Sequence, residues 1–478
     1  MSYSLTAPQV ARMLGHWRAQ GPAYLDLAGA FEVLIADGRL PAGARIPAER
    51  ALATQCGISR NTVTAAYRLL RERGRLASDR GAGSFVRAPR AARSVQAAAA
   101  STVGRHPGTD VDLTVDALPI PQGVLVPAVR EVSADLGRYA DGLQPGHDLM
   151  GLPELRREIA AGFTQRGVPT GPEEILVTGG AEHGLGLVLR LLSRPGEAVL
   201  TDSPTHPAVL DLTRALNRRL LTVGLAPDGW DADVWESVLH RERPRLAYLA
   251  PDFHHPTGMV MPAAIRAAIA RAAVRSGTHL VVDESVRDLA LDGPPLPPPL
   301  AGPQVITVGT LSSSCWAGLR VGWIRAAEPV VTRLAGLRHL VDGGNSLLTQ
   351  LVGLRVLESY PPLLAERRQL LLHRRLLLAE LLAEYLPDWR YRLPHGGLAL
   401  WVDLGHRVGP PLARAAAERG VRVLTGGRFG VDGTFEDHLR IPFTADESAL
   451  ESACARLARA WQDVGRAGTA RHRVHAAA

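Results

Sequence analysis

The chain has 478 residues, 46% of them hydrophobic and 21% charged, which is ordinary for a soluble globular protein of two to four domains. Three distant cysteines, Cys56, Cys315 and Cys454, argue for buried free thiols over disulfides or a metal site; with no signal-peptide core in Met1 to Gln20 and no membrane-length apolar run, a cytoplasmic protein is expected. The net charge of +7 is uneven: residues 1–94 hold 14 arginines and 6 acidic residues and the rest 40 and 41, as expected of a polyanion-binding module joined to a neutral body.

Thr6 to Trp17 and Leu25 to Ala36 have helical apolar spacing, with Gly38 as a stop. A short helix then opens at Pro47, which suits a first helical position, and Cys56-Gly57-Ile58 forms a turn. Ser59 is a good N-cap for Arg60 to Arg73, where Val63, Ala66, Tyr67 and Leu70 make one apolar stripe. The other face carries Arg60, Asn61, Thr62, Thr64 and Arg68. Arginine and asparagine read guanine and adenine edges bidentately; the alternative is a solvated polar face. The helix-turn-helix spacing, and Leu76 to Val86 as a β-hairpin with Arg80-Gly81-Ala82-Gly83 at its tip, favour the DNA reading.

Arg45-Ile-Pro-Ala-Glu-Arg-Ala-Leu-Ala53, Gly57-Ile-Ser-Arg-Asn-Thr-Val63 and Gly81-Ala-Gly-Ser-Phe-Val86 resemble the winged helix-turn-helix of GntR-type transcription regulators. The resemblance implies contacts with double-stranded DNA from Arg50, Ser59, Arg60, Asn61, Thr62, Thr64 and Arg68, and from Gly83 and Ser84 in the wing. The module is assigned to residues 1–87. Residues 88–110, rich in small residues and without amphipathic period, read as a linker.

From residue 111 to 466 strand and helix patterns alternate. Strands are expected at Glu174 to Thr178, Ala198 to Asp202, Leu246 to Ala250, Thr278 to Asp283 and Gln304 to Gly309, with helices at Glu182 to Leu192 and Pro361 to Tyr385. Such alternation implies an α/β fold with a mostly parallel sheet, whose ligands collect beyond the carboxyl ends of the strands. Gly397 to Asp403 and the helix Glu447 to Trp461 belong to a smaller α+β subdomain, and residues 467–478 are expected to be a disordered tail.

Gly309-Thr-Leu-Ser-Ser-Ser-Cys-Trp-Ala-Gly-Leu-Arg-Val-Gly-Trp323 resembles the segment carrying the Schiff-base lysine in fold-type I, class I aminotransferases, where Ser-Lys precedes Gly-Leu-Arg-x-Gly-Trp. Here Ser313 occupies the lysine position, and the chain contains no lysine at all, so no side chain can form an internal aldimine. With Gly151-Leu-Pro-Glu-Leu-Arg156 and the turn Thr178-Gly-Gly-Ala181, the body and the winged module together resemble the MocR subfamily of GntR regulators. That resemblance implies a homodimer, domain-swapped, with the aminotransferase-like domain as a sensor that usually binds pyridoxal phosphate; for want of a lysine no catalytic residue is expected here.

By the same resemblance Asp283 matches the partner of the pyridine nitrogen. Arg320, Thr310, Ser312, Gly180 and Ala181 match a phosphate site, and Arg440 matches the arginine that grips a substrate carboxylate. Departures cluster around the ring: Ser313, His255 for the asparagine of Asn-Pro-Thr-Gly, His206 for a stacking aromatic and Ser285 for a tyrosine. No covalent cofactor is expected. An unrelated acidic effector, non-covalent pyridoxamine phosphate, or no ligand all remain open, as do an enzyme using a non-covalent cofactor and a ligand-independent DNA-binding dimer.

Overall fold

A computed structural model describes residues 5–15, 17–18, 22–36, 40, 44–79, 83–86, 111–140, 148–226, 228–431 and 433–475. Its helices are α1 (Ala7–Leu14), α2 (Ala23–Ala36), α3 (Glu49–Cys56), α4 (Arg60–Glu72), α5 (Gln122–Ala140), α6 (Pro153–Gln165), α7 (Ala181–Leu192), α8 (Pro207–Ala215), α9 (Ala232–Glu242), α10 (Ala263–Ser276), α11 (Glu328–Val341), α12 (Leu347–Glu358), α13 (Tyr360–Tyr385), α14 (Gly409–Ala417) and α15 (Glu447–His475). Its strands are β1 (Arg45–Ile46), β2 (Leu76–Asp79), β3 (Gly83–Val86), β4 (Val111–Leu113), β5 (Ile175–Thr178), β6 (Ala198–Ser203), β7 (Arg219–Gly224), β8 (Leu246–Leu249), β9 (His279–Asp283), β10 (Val305–Thr310), β11 (Gly322–Arg325), β12 (Arg390–Tyr391), β13 (Ala399–Asp403), β14 (Val421–Thr425) and β15 (His438–Pro442).

One compact unit comprises Met1–Asp116, Arg375–Arg392 and Ala399–Ala478. At its amino-terminal end Thr6 and Gln9 form a capping box, and α1 stops at Leu14, short of the expected Trp17, because Gly15 turns the chain at φ +53. Gly57, at φ +65, makes the turn between α3 and α4. The expected stripe on α4 is buried, and Tyr67 packs edge-on against Phe31 while its hydroxyl donates to the Pro47 carbonyl at 3.1 Å. Strands β2 and β3 pair antiparallel as the wing, with β1 on the other side of β3. Gly38, the tip residues Arg80 to Ala82 and the 88–110 linker lie outside the described residues.

The same unit contains a five-stranded sheet, ordered β12-β13-β15-β14-β4, flanked by α14 and α15. Helix α15 continues to His475, through most of the stretch expected to be a disordered tail. Residues 476–478 lie outside the described residues.

The second unit, Ala117–Arg374 and Leu393–Leu398, is built on a seven-stranded sheet ordered β5-β11-β10-β9-β8-β6-β7. Neighbours pair in parallel except at β11, which runs antiparallel to both β10 and β5. The mostly parallel α/β sheet is as the alternation predicted, with each expected strand within about a residue of its place; β7 and β11 were not anticipated. Thr178, Ser203, Leu249, Asp283 and Thr310 end five strands at one edge of this sheet. Of the cysteines, Cys315 and Cys454 are buried and Cys56 is partly so, all as free thiols.

Close packing explains one motif glycine. A methyl on Gly322 would stand 2.6 Å from Gly180 Cα and 2.7 Å from the Gly309 carbonyl oxygen, both backbone atoms of neighbouring strands and turns. Gly322→Ala is therefore expected to destabilise the domain by about 1–3 kcal/mol, measured by chemical denaturation; an unchanged midpoint would show that the turn at Gly180 yields freely.

Candidate DNA interface and ligand pocket

Helix α4 displays its polar face as expected, but not every group on it is available. Ser59 Oγ accepts from Thr62 N at 3.1 Å and lies 2.9 Å from Thr62 Oγ1, so both hydroxyls serve the cap. Thr64 Oγ1 donates to Glu49 Oε2 at 2.7 Å, turning that hydroxyl into the α3–α4 junction. Arg60 Nε and Arg71 Nη2 each lie 3.9 Å from a Glu49 oxygen, so one glutamate braces the two helices. Arg68 pairs with Glu72 at 3.5 Å along the exposed face. Arg50 and Asn61 are exposed, and their side chains have no hydrogen-bond or ion-pair partner among the described residues. In the wing, Gly83, at φ +101, passes close to the Arg45 guanidinium, and Ser84 follows it in β3. Glu49 and Arg45 were missed by sequence reasoning, since their roles depend on contacts across the module.

In the second unit, Asp283 at the end of β9 accepts a hydrogen bond from the Tyr248 hydroxyl at 2.8 Å on Oδ2 and from Ser285 N at 2.9 Å on Oδ1. Burial, reinforced by the Asp283 charge, holds the Tyr248 hydroxyl well above its ordinary pKa. The phosphate-type turn is shaped by Thr178 Oγ1, which donates to the Gly180 carbonyl at 2.9 Å, and by Gly180 itself at φ +123. Arg320 projects onto this turn: a methyl on Gly180 would lie 3.5 Å from its Nη1. The Arg320 guanidinium has no hydrogen-bond or ion-pair partner among the described residues, which suits an anion at the amino end of α7.

Other groups around the turn were not foreseen. His183 Nδ1 accepts from Gly179 N at 2.9 Å and its Nε2 lies 3.2 Å from Asp342 Oδ2. Burial, outweighing the Asp342 carboxylate, lowers the His183 pKa, so the imidazole is neutral and holds the amide. Glu182 adds an acidic side chain to the first turn of α7, which opposes a phosphate dianion. Thr310 Oγ1 is engaged by Val321 O and Ser312 N, at 3.0 Å each. Ser312 Oγ and Ser285 Oγ are enclosed with no hydrogen-bond partner among the described residues. Ser313 follows, half-buried.

The rings of His206 and His255 lie 4.6 Å apart, tilted by 48°, and His206 Nδ1 also caps α8 by accepting from Ala208 N. Beside them Asp252 is wholly buried between Arg266 and Arg287, with 2.5 Å to each guanidinium, and fixes the loop that carries both histidines 254 and 255. His254 Nδ1 lies 2.9 Å from Thr257 Oγ1, and its Nε2 is 3.7 Å from Asp202 Oδ2, which accepts from Trp230 Nε1 at 3.0 Å.

Burial pushes Asp202 up to about 7 and, with the neighbouring His206 charge, pushes His254 down to about 3. Below pH 7 the folded chain takes up a proton on Asp202 before the unfolded chain would, which adds stability as pH falls. Below pH 6.5 the unfolded chain protonates its histidine while buried His254 refuses, which removes stability. The two slopes offset each other in the wild type. Asp202→Asn leaves only the second, so its stability relative to wild type is expected to fall by about 1–2 kcal/mol from pH 7 to pH 5, measured by urea unfolding. Parallel pH profiles for the two proteins would refute this assignment.

In the first unit, Arg440 on β15 is buried, with Nη2 2.5 Å from Asp116 Oδ2 and Nη1 donating to the Thr114 carbonyl at 3.3 Å. The pocket residues other than Arg440 therefore gather at one sheet edge, while Arg440 already holds an internal carboxylate. Among the described residues no His, Cys, Asp or Glu cluster is arranged for a metal ion, and no helix is long and apolar enough to cross a membrane.

The residues fit an anion at Arg320 and the α7 turn. They do not fit covalent attachment of pyridoxal phosphate, for want of any lysine.

Residues 110–457 match the family described as aminotransferase class I and II, and residues 23–86 match bacterial regulatory proteins of the gntR family. The chain is 30% identical to the HTH-type pyridoxine biosynthesis transcriptional regulator PdxR of Corynebacterium glutamicum, over 76% of this chain and 80% of that one. It is also 30% identical to 2-aminoadipate transaminase of Thermus thermophilus, over 62% and 78%, and 27% identical to the HTH-type transcriptional regulator YisV of Bacillus subtilis, over 86% and 90%. Among solved structures, the α-aminoadipate aminotransferase LysN of Thermus thermophilus, complexed with N-(5'-phosphopyridoxyl)-L-leucine, superposes with a TM-score of 0.67 at 28% identity, over 73% of this chain and 91% of that one. A fold shared with such proteins implies binding related to pyridoxal phosphate. The chain therefore belongs to the aminotransferase class I and II family and, through its gntR module, to the MocR-type DNA-binding transcription regulators that combine the two.

Proposed function

We propose that this regulator reads its operator through Arg60 and Asn61, with Arg50 on the phosphate backbone, and that its aminotransferase-like domain is a non-catalytic sensor and dimerisation module for a small acidic ligand. The observation that carries the reading is the combination of an Arg320 that has no partner among the described residues at the α7 turn with a chain in which no lysine exists and Ser313 stands at the Schiff-base position. Arg320 and the turn at Gly180 and Ala181 hold the anion; His206 and His255 form the wall beside it. Pyridoxamine phosphate held without a covalent bond is the second reading, favoured by the retained Asp283 and opposed by Glu182.

Incubation of the purified protein with pyridoxal phosphate, followed by borohydride reduction and mass analysis, tests this. The expected result is an unchanged protein mass and no visible absorbance band. A reduced adduct mapped to a residue of the pocket would overturn the non-catalytic reading.

A further inference from the structure

Helix α1 lies ahead of residue 23, where the match to the gntR family begins, yet it is built into the winged module. Its Val10, Met13 and Leu14, with Trp17 just beyond, are buried in one core with Leu27, Phe31 and Tyr67. One face of α1 therefore belongs to the module. Its carboxyl end reaches further, to the five-stranded subdomain of the same unit.

Among the described residues the module meets that subdomain through both α1 and α2. The end of α1 sits on the loop between β14 and β15: a methyl on Gly433 would collide with the Arg12 carbonyl oxygen, and one on Gly15 would stand 2.7 Å from Glu436 Oε2. The loop is itself fixed, because Arg407 Nη2 donates to the Gly433 carbonyl at 2.6 Å and Gly409 N to the Glu436 carbonyl at 2.8 Å. Helix α2 lies against α14. A methyl on Gly29 would stand 2.7 Å from Arg414 Nη1, and Trp17, Asp26, Pro410 and Pro411 line the same seam, with Trp17 and Asp26 buried in it. One contact would let the module pivot; contacts from separate helices remove that rotation. Helix α4 is left open, since the side chains of Arg60 and Arg68 remain 69% and 74% exposed. The contact fixes the direction of the reading helix without covering it.

We propose that α1 is a docking helix: together with α2 it holds the winged module on the five-stranded subdomain of its own chain, and so sets the separation at which the two modules of a dimer present their α4 helices. The matching DNA is a pair of half-sites at one spacing, because recognition helices held rigidly meet only those half-sites that lie on the corresponding face of the duplex. Released from the dock, each module is held by its peptide connection alone and accepts other separations. The inference rests on the dimerisation in the reading above and adds to it the geometry of the operator.

The test uses the full-length protein with three duplexes: the one it selects from random DNA, the same sequence with half a helical turn, about 5 base pairs, inserted at its centre, and a single half-site. Wild type is expected to bind the inserted duplex about a hundredfold more weakly, the gain that bivalent engagement supplies. Gly433→Val, which drives a side chain into the α1 backbone, should bind the two longer duplexes within about threefold of each other, and the half-site as wild type does. Should Gly433→Val lose half-site binding through misfolding, Gly29→Leu carries the same expectation, because a methyl at Gly29 meets Arg414 across the seam and no other described side chain. A dimeric wild type indifferent to the insertion, or spacing selectivity retained in a variant whose half-site binding is intact, would overturn the dock and leave the dimerisation reading standing. Sedimentation of the wild type separates the two: a monomer removes the dimerisation reading and this inference with it.

Discussion

Asp252→Ala is expected to cost the aminotransferase-like domain about 3–5 kcal/mol of unfolding free energy, the usual consequence of removing one member of a buried ion cluster. Asp252 is completely enclosed and answers two guanidinium groups, Arg266 and Arg287, at 2.5 Å each. Carbonyl oxygens of Met261, Pro251 and Pro297 satisfy much of the remaining hydrogen-bonding capacity of the two arginines, but none cancels charge. Alanine would leave two cations that cannot shed their protons in a dry site. Denaturant unfolding reads the effect; a loss under about 1 kcal/mol would mean that water enters and the cluster is wetter than it looks. Replacing all three residues by apolar ones of similar volume is expected to be far milder than the single change, because the charges leave together.

The double variant Arg60→Ala/Asn61→Ala is expected to weaken operator binding by about 2–6 kcal/mol, from the 1–3 kcal/mol typical of each base-edge contact. Titration of labelled operator and scrambled DNA at one salt concentration checks it. Loss confined to the operator identifies base readout; equal loss on both sequences makes the pair phosphate contacts and removes them from specificity. Arg50→Ala serves as the contrast, since an exposed arginine ahead of the recognition helix is placed for the backbone and should lower the salt dependence on every sequence. Thr64→Ala, by comparison, should act through the lost bond to Glu49 and loosen α4 against α3.

Local patterns carried much of the fold. The stripe Val63, Ala66, Tyr67 and Leu70 named the buried face of α4, and the apolar runs of β5, β8 and β9 named strands because a parallel sheet covered on both faces needs apolar residues throughout. Strand β11 escaped because Gly322 to Arg325 is four residues long and buried on both faces, so it shows no period of its own beside the Gly-Leu-Arg-x-Gly-Trp motif it belongs to. Side-chain partnerships were the least legible. Tyr248 meets Asp283 across 35 residues, and Thr64 meets Glu49 across 15, so nothing local distinguishes these residues from an ordinary core tyrosine or exposed threonine. A buried tyrosine does require a partner for its hydroxyl, yet only the register of β8 beside β9 says which. The pairing of Arg440 with Asp116 joins residues far apart in the chain and was hidden for the same reason.

Arg338 carries this dependence furthest. Fully enclosed, it donates to the carbonyls of Leu149 and Val177, to Asp342 and to Asn345, gathering α11, the segment before α6 and β5 around one charge. A lysine there could discharge in a half-open domain; an arginine stays ionised in every partly unravelled state. An opening that parts α11 from β5 while Arg338 stays enclosed leaves its Nη1 without the Leu149 and Val177 carbonyls, and such an intermediate rises in free energy relative to the native chain. Backbone amides of β5 are therefore expected to exchange together with those of α11 and not ahead of them.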